Sequence, residues 1–331
     1  MNTQSSKIRY GIIGFGGFAE RTIAPAIKAT ANSELVAIQK RSLSAAEQKA
    51  RAYSIPLAFD SPEKLASHPD VDAVFIVGTN AARCVETLAT AKAGKHVIVE
   101  KPMAMNADEC RKMIDACERA NVKLAVAQML RYSPLIRRMR ELVHTGIIGT
   151  PTGVRAEFVY DASATERTWL FDMKLSGGGP VFDIGVHCLD ALRFVLNDEV
   201  VVTKSALSPR PTETKTEMSA TIALQFFKGT VGSIFCSFET PLGRTFLEVT
   251  GTQGAVSIFN FINSFTVSPL TITYCRDRQI LKKENEDIVV PNLYVEEITD
   301  FSNSILNGTE PFLSAENGLR NQVVLDAAMK V

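Results

Sequence analysis

Lys101, Asp183 and His187 are the side chains in this sequence whose types and surroundings suit proton and charge transfer. The last two lie inside Gly177-Gly178-Gly179-Pro180-Val181-Phe182-Asp183-Ile184-Gly185-Val186-His187. Proline suits the first turn of a helix, and Val181, Ile184, Leu189, Leu192, Phe194 and Val195 continue at roughly helical spacing. That spacing places the carboxylate and the imidazole one turn apart on one face, where the first can hold the second. An imidazole titrates near neutrality and can give or take a proton there. By itself the pair also fits a polar i,i+4 contact on a wet helix face, so its meaning depends on what the rest of the chain brings to it.

What must position these groups begins at the N-terminus. The apolar run Ile8 to Ile13 stops at Gly14-Phe15-Gly16-Gly17-Phe18-Ala19, and a candidate helix follows through Ile23, Ala26 and Ile27. In such a strand–turn–helix the glycines permit a tight turn and let backbone N–H groups approach a pyrophosphate. Short apolar runs then alternate with helical ones: Leu35 to Ile38, a helix near 44–53, Ala73 to Val77, a helix near 81–93, Val97 to Val99, a helix near 107–120, and Leu124 to Ala127. Near-continuous apolar strands between amphipathic helices imply an α/β doubly wound parallel sheet. Its fifth strand ends in Glu100-Lys101-Pro102, and carboxyl ends of parallel strands face the ligand crevice, which points Lys101 at the cofactor. The second strand ends in Gln39-Lys40-Arg41-Ser42, with no acid before Glu47 to bind an adenosine ribose. Two cations there favour a 2′-phosphate, hence NADP(H) over NAD(H).

The texture changes after Thr145. Val154 to Tyr160 reads as a strand, and after the Gly177–His187 segment come Met218 to Phe227, Val231 to Phe238, Phe246 to Gly251 and Ala255 to Phe259, separated by turn residues. These imply a C-terminal α+β domain on a large, mostly antiparallel open sheet, with one face packed and the other offered to solvent or a second subunit. The expected division is a dinucleotide-binding domain over 1–128 and a substrate and oligomerisation domain over 129–331, closing with helices at Val295 to Leu306 and Ala315 to Val331, the last of which stops without a cap.

Composition narrows the function classes. With Lys+Arg and Asp+Glu at 36 each, no net field draws the chain to nucleic acid or an anionic membrane. The six cysteines form no CxxC pair and sit mostly in apolar segments, implying buried thiols in a reducing compartment and neither zinc nor disulfides. Without an apolar leader or a membrane-length run, the expected location is the cytoplasm. His68, His96 and His144 lack partners at useful spacing and read as structural or surface groups.

The glycine turn, Thr79-Asn80, Gly94-Lys95-His96-Val97 leading into Glu100-Lys101-Pro102, and Gly177-Gly178-Gly179 followed by Asp183 and His187 together resemble the glucose–fructose oxidoreductase / inositol dehydrogenase / MocA (Gfo/Idh/MocA) family, in the family's order and over nearly the whole chain. Its appearance is nearest the 1,5-anhydro-D-fructose reductase and sugar dehydrogenase branch. The resemblance implies a Rossmann domain and reversible hydride transfer between NADP(H) and a carbonyl or hydroxyl carbon of a sugar or polyol, in a homodimer or homotetramer. It implies that Lys101 and His187 flank the reacting carbon with Asp183 beside them. Gly14, Phe15, Gly16, Gly17 and Phe18 would cradle the pyrophosphate, and Lys40, Arg41 and Ser42 would meet the adenosine phosphate. Thr79, Asn80 and Glu100 would lie along the cofactor, Trp169 and Tyr294 would reach it from the second domain, and Arg131 would meet cofactor or substrate at the junction. Three positions depart from the pattern: Arg83 replaces the usual His, Leu170 follows Trp169 where an Arg is frequent, and Met129 replaces a polar residue. Two other readings fit the same scaffold: an oxidoreductase for aromatic dihydrodiols or bilins, with Phe158, Tyr160, Trp169 and Phe171 as apolar walls, and a non-catalytic dinucleotide-binding transcriptional sensor.

Overall fold

The computed structural model describes residues 7–262 and 266–330, and the chain divides into two compact units. The polar N-terminus through Ser6 and the last residue of the expected final helix, Val331, lie outside the described residues.

In the first unit, β1 (Ile8–Ile13), β2 (Ser33–Gln39), β3 (Leu57–Phe59), β4 (Ala73–Ile76), β5 (His96–Glu100) and β6 (Leu124–Ala127) form one sheet in the order β3-β2-β1-β4-β5-β6. Every pairing is parallel. The winding reverses between β1 and β4, which opens a crevice at their carboxyl ends. Adjacent residues of β1 serve opposite faces: Ile12 packs in one core with Phe15, Phe75 and Ile98, Ile13 in another with Leu65, Val74 and Val99. Burial on both faces is why these strands read as continuous apolar runs rather than as alternation.

This unit is not closed by the chain up to Gln128 alone. Residues Tyr294–Gln322 belong to it as well, and the second unit comprises Met129–Leu293 and the chain from Val323. The expected assignment of all of 129–331 to the second domain is therefore corrected. The physical reason lies on helix Leu293–Asn307: Ile298 and Phe301 are buried in the same core as Tyr10 and Ile12, and the Tyr10 hydroxyl shares a 2.8 Å hydrogen bond with Ser302. Each such apolar side chain contributes about 1.5–3 kcal/mol on burial.

The second unit is built on an eight-stranded sheet of β7 (Pro151–Asp161), β8 (Val200–Ser208), β9 (Ser219–Phe226), β10 (Val231–Ser237), β11 (Glu239–Gly251), β12 (Gly254–Phe259), β13 (Thr266–Arg276) and β14 (Gln279–Val290), ordered β14-β13-β12-β11-β7-β10-β9-β8. Only β7 and β10 run parallel. Alternation is clean on β9, where Ala220, Ile222, Leu224 and Phe226 are buried and the residues between them exposed. Helix Val186–Leu196 packs on β7 and on helix Pro134–His144. The opposite face carries Val231 and Phe235 exposed, Arg155 paired with Glu248 at 2.7 Å, and Phe246 against Phe259 at 4.8 Å between ring centroids.

Candidate active site

The first unit carries the cofactor half of the expected site. Gly14 sits at φ +80°, and a Cβ on it would lie 2.7 Å from the backbone N of Gly78, so only glycine fits where the turn after β1 meets the turn after β4. Gln39, at the end of β2, accepts from the Gly14 N–H at 3.1 Å, and Lys40 Nζ donates to the Phe15 carbonyl at 2.6 Å. Phe15 contributes only backbone there, because its ring is buried against Tyr53. Arg41 and Ser42 are exposed, and Ser42 caps helix Leu43–Ala52.

Among the helices that follow β1 to β5, capping distinguishes the same two turns. Helices Leu43–Ala52, Pro62–Ala66 and Ala107–Arg119 are capped by Ser42, Ser61 and Asn106. The helix that begins at Gly17, preceded by Gly16 with no side chain to give, and the helix Asn80–Lys92, preceded by Thr79, follow β1 and β4 and have no side-chain cap. Their N–H groups face the switch point and suit an anion, so the residues present fit a dinucleotide pyrophosphate.

At the end of β5 the backbone N–H of Lys101 donates to its neighbour Glu100, whose carboxyl is buried, while Lys101 itself is half-buried. Arg83 is also buried and donates to the Pro102 carbonyl. This departure from the family pattern thus ties the cofactor-side helix to the segment carrying Lys101. Tyr294 packs its ring edge on Phe18 at 6.0 Å. It belongs to the first unit, which corrects its expected placement in the second domain.

The second unit carries the proton-transfer half. Gly177, at φ +74°, ends helix Met173–Ser176, and the chain enters a π-helical turn over Val181–Gly185 before α-helix Val186–Leu196. The expected regular α-helical turn between Asp183 and His187 is therefore replaced by a wider one. Both side chains are buried, at 5% and 8% exposure. The Asp183 carboxylate is gripped from outside its own helix: Arg167 donates from Nη1 to Oδ1 and from Nη2 to Oδ2, each at 3.0 Å, and the Tyr160 hydroxyl reaches Oδ2 at 3.4 Å. Sequence reasoning had offered only His187 as its companion and missed Arg167. Burial first, then the charge of Asp183, pushes the Tyr160 phenol well above its usual range. The His187 ring lies 6.1 Å from Phe158, in an aromatic layer that continues through Tyr160, Phe238 and Phe171.

Replacing Arg167 with Ala leaves a buried carboxylate without its fork and is expected to cost about 1–3 kcal/mol. Melting should fall by roughly 3 °C or more, with Arg167→Lys restoring only part because an ammonium cannot bond both oxygens in parallel. An unchanged melting temperature for Arg167→Ala would contradict this account of Asp183.

Other expectations shift. Arg131 is buried and donates to both oxygens of Asp190 at 2.8 Å while stacking over Phe194, so the guanidinium assigned to cofactor or substrate is spent on a salt bridge inside the second unit. Trp169 is partly exposed on a single 3₁₀ turn, Thr168–Phe171, and Leu170 beside it is core. His68, His96 and His144 are engaged by backbone groups, as structural histidines are. Among the described residues the cysteines are free thiols, all buried except the half-buried Cys275, and no helix is long and apolar enough to cross a membrane.

With this geometry in place, the comparisons with known proteins are consistent with one another. Residues 8–128 match the oxidoreductase family GFO/IDH/MocA, NAD-binding Rossmann fold, and residues 136–257 match the GFO/IDH/MocA C-terminal domain. The chain belongs to the GFO/IDH/MocA family of oxidoreductases, whose NAD-binding Rossmann fold is matched by residues 8–128. It is 30% identical to the 1,5-anhydro-D-fructose reductase of Ensifer adhaerens, over 94% of this chain and 92% of that protein. It is 32% identical to the trans-1,2-dihydrobenzene-1,2-diol dehydrogenase of Mus musculus, over 76% and 74% of the two chains. Its fold is similar to the crystal structure of aldose-aldose oxidoreductase from Caulobacter crescentus complexed with glycerol, at TM-score 0.86 and 26% identity, covering 97% of this chain and 96% of that one.

Proposed function

We propose that this chain is an NADP(H)-dependent oxidoreductase that interconverts a carbonyl and a hydroxyl carbon of a sugar or polyol. The observation that carries the reading is the His187 segment, a buried imidazole against the Phe158 ring, preceded by a turn whose carboxylate, Asp183, is fixed by Arg167 and Tyr160. The nicotinamide, when bound, supplies or accepts the hydride. The protein must then move one proton and stabilise a developing oxyanion. His187 gives the proton during ketone reduction and takes it during alcohol oxidation. Lys101, at the carboxyl end of β5, would supply positive charge to stabilise a developing oxyanion. Asp183 is held in one orientation by the Arg167 fork, in the turn that leads into the helix carrying His187. Gly14, Gly16, Gly17 and Phe18 would hold the pyrophosphate by backbone, and Thr79, Asn80, Glu100 and Tyr294 of the same unit would line the remainder of the cofactor.

Preference for the 2′-phosphate rests on β2, which ends in an amide, Gln39, committed to the glycine turn, followed by Lys40 and Arg41 with no carboxylate to repel a phosphate. In a panel containing 1,5-anhydro-D-fructose, aldoses, polyols and a benzene dihydrodiol, run with both cofactors, NADP(H) is expected to give a kcat/KM at least about tenfold above NAD(H). Combining Lys40→Ala with Arg41→Ala should erase that margin and leave NAD(H) turnover in place. An advantage for NAD(H) in the unmodified protein would sink the NADP assignment.

The aromatic layer also favours a second reading, oxidation of an aromatic dihydrodiol, and faster turnover of the dihydrodiol than of any sugar in the panel would select it. Self-association through the exposed face of the eight-stranded sheet is the assembly this reading favours, given Val231, Phe235 and Phe259 on it.

A further inference from the structure

We infer that Glu217, on the loop between β8 and β9, is the positioning residue that sets the turn carrying Asp183 and His187; this deepens the proposed function and rests on it. The helix begins at Pro180 with no side-chain cap of its own, since Gly179 before it has no side chain to give. Glu217 supplies one from another part of the chain. It is fully buried, and its Oε1 accepts from the Val181 N–H at 3.1 Å. Burial pushes its carboxyl up, and the amides of Gly179 and Val181 pull it back.

The backbone of the same residue closes the corner. A Cβ on Gly179 would lie 2.1 Å from the Glu217 carbonyl oxygen, so the chain passes there only because position 179 is glycine. The Gly179 carbonyl in turn accepts from the N–H groups of Phe182 and Asp183, at 3.1 and 3.0 Å. A fixed Gly179 therefore fixes the backbone of Asp183.

The loop before Glu217 also grips the segment that follows Arg167. Thr216 donates to the Leu170 carbonyl at 3.3 Å, Met173 N–H donates to the Thr214 carbonyl at 3.2 Å, and Asp172 pairs with Lys215 in a β-bridge. One loop thus meets both the segment that follows Arg167 and the turn carrying Asp183, and Glu217 is the point where it touches the turn. Loss of this carboxyl would move the imidazole and the carboxylate without removing either.

The experiment compares Glu217→Ala, Glu217→Gln and His187→Ala. Turnover is measured on the best substrate of the panel, hydrogen exchange on the peptide 177–187, and imidazole NMR on His187, which is tractable with 4 histidines in the chain. Glu217→Ala is expected to lower kcat about tenfold or more, lower the protection of the Val181 and Asp183 amides, and displace the His187 resonance, while the Kd for NADPH stays within about threefold. Glu217→Gln keeps a carbonyl acceptor for Val181 and should restore each readout to within about threefold. A Glu217→Ala variant with normal kcat and an undisplaced His187 resonance overturns the inference, as does a Gln variant no better than Ala. If the Ala variant does not fold, the Gln variant decides: kcat within about threefold supports the inference, and a larger loss overturns it. Normal turnover in His187→Ala would defeat the functional reading instead, leaving the exchange and NMR results to judge Glu217.

Discussion

Lys101→Ala and His187→Ala are each expected to lower turnover by about 100-fold or more while NADPH binding stays within a few fold. General acid–base groups typically contribute about 10²–10⁴, and removal of one preorganised charge opposite an oxyanion costs about 10²–10³. Neither side chain belongs to the glycine turn or to the uncapped helix starts that fit the pyrophosphate, so the loss should fall on kcat rather than on cofactor affinity. His187→Asn tests the proton role separately, because an amide keeps a hydrogen bond but cannot titrate near neutrality. Near-normal turnover in both alanine variants would remove these residues from the chemistry.

Glu86→Gln is expected to flatten the pH dependence of stability. The Glu86 carboxyl lies under the cofactor-side turn, where a Cβ on Gly78 would meet its Oε2 at 3.0 Å. Burial raises its pKa from 4.5 to about 7; Arg83 opposes the rise and Glu63 adds to it. The folded state therefore binds this proton more tightly than the unfolded state. The resulting stability is complete below about pH 4.5 and is lost as the pH rises to about 7, an interval worth about 3 kcal/mol. Glutamine has no proton to lose, so the variant should be more stable than the parent at pH 8 and close to it at pH 4.5. Melting curves at the two pH values check this, and an identical pH dependence in both proteins would show that Glu86 does not titrate in that window.

The legible parts of the molecule were those that depend on local pattern. The two-faced burial of Ile12 and Ile13 makes β1 an apolar run, and alternation from Ala220 to Phe226 announces β9. β14 was not legible because most of its residues from Gln279 to Val290 are exposed, so Lys282-Lys283-Glu284 reads only as a solvated face, with no apolar alternation to mark a strand. The site shows the same division. Its glycine turn, Lys101, Asp183 and His187 stand in recognisable motifs, whereas Arg167, Tyr160, Gln39 and Glu217 act on partners 16, 23, 25 and 36 positions away. No spacing rule reaches that far. The π-helical turn at Val181–Gly185 was hidden for another reason: its register depends on the corner at Gly179, which the Glu217 loop encloses.

The return of Tyr294–Gln322 to the first unit governs the order in which the protein can be completed during synthesis. A ribosome has delivered the whole parallel sheet by Ala127, yet Ile298 and Phe301, which fill its core, arrive only after β7 to β14 have emerged. The nascent sheet must therefore wait with apolar surface uncovered, and a cell making this protein must shield the first-made half until nearly the last helix leaves the tunnel.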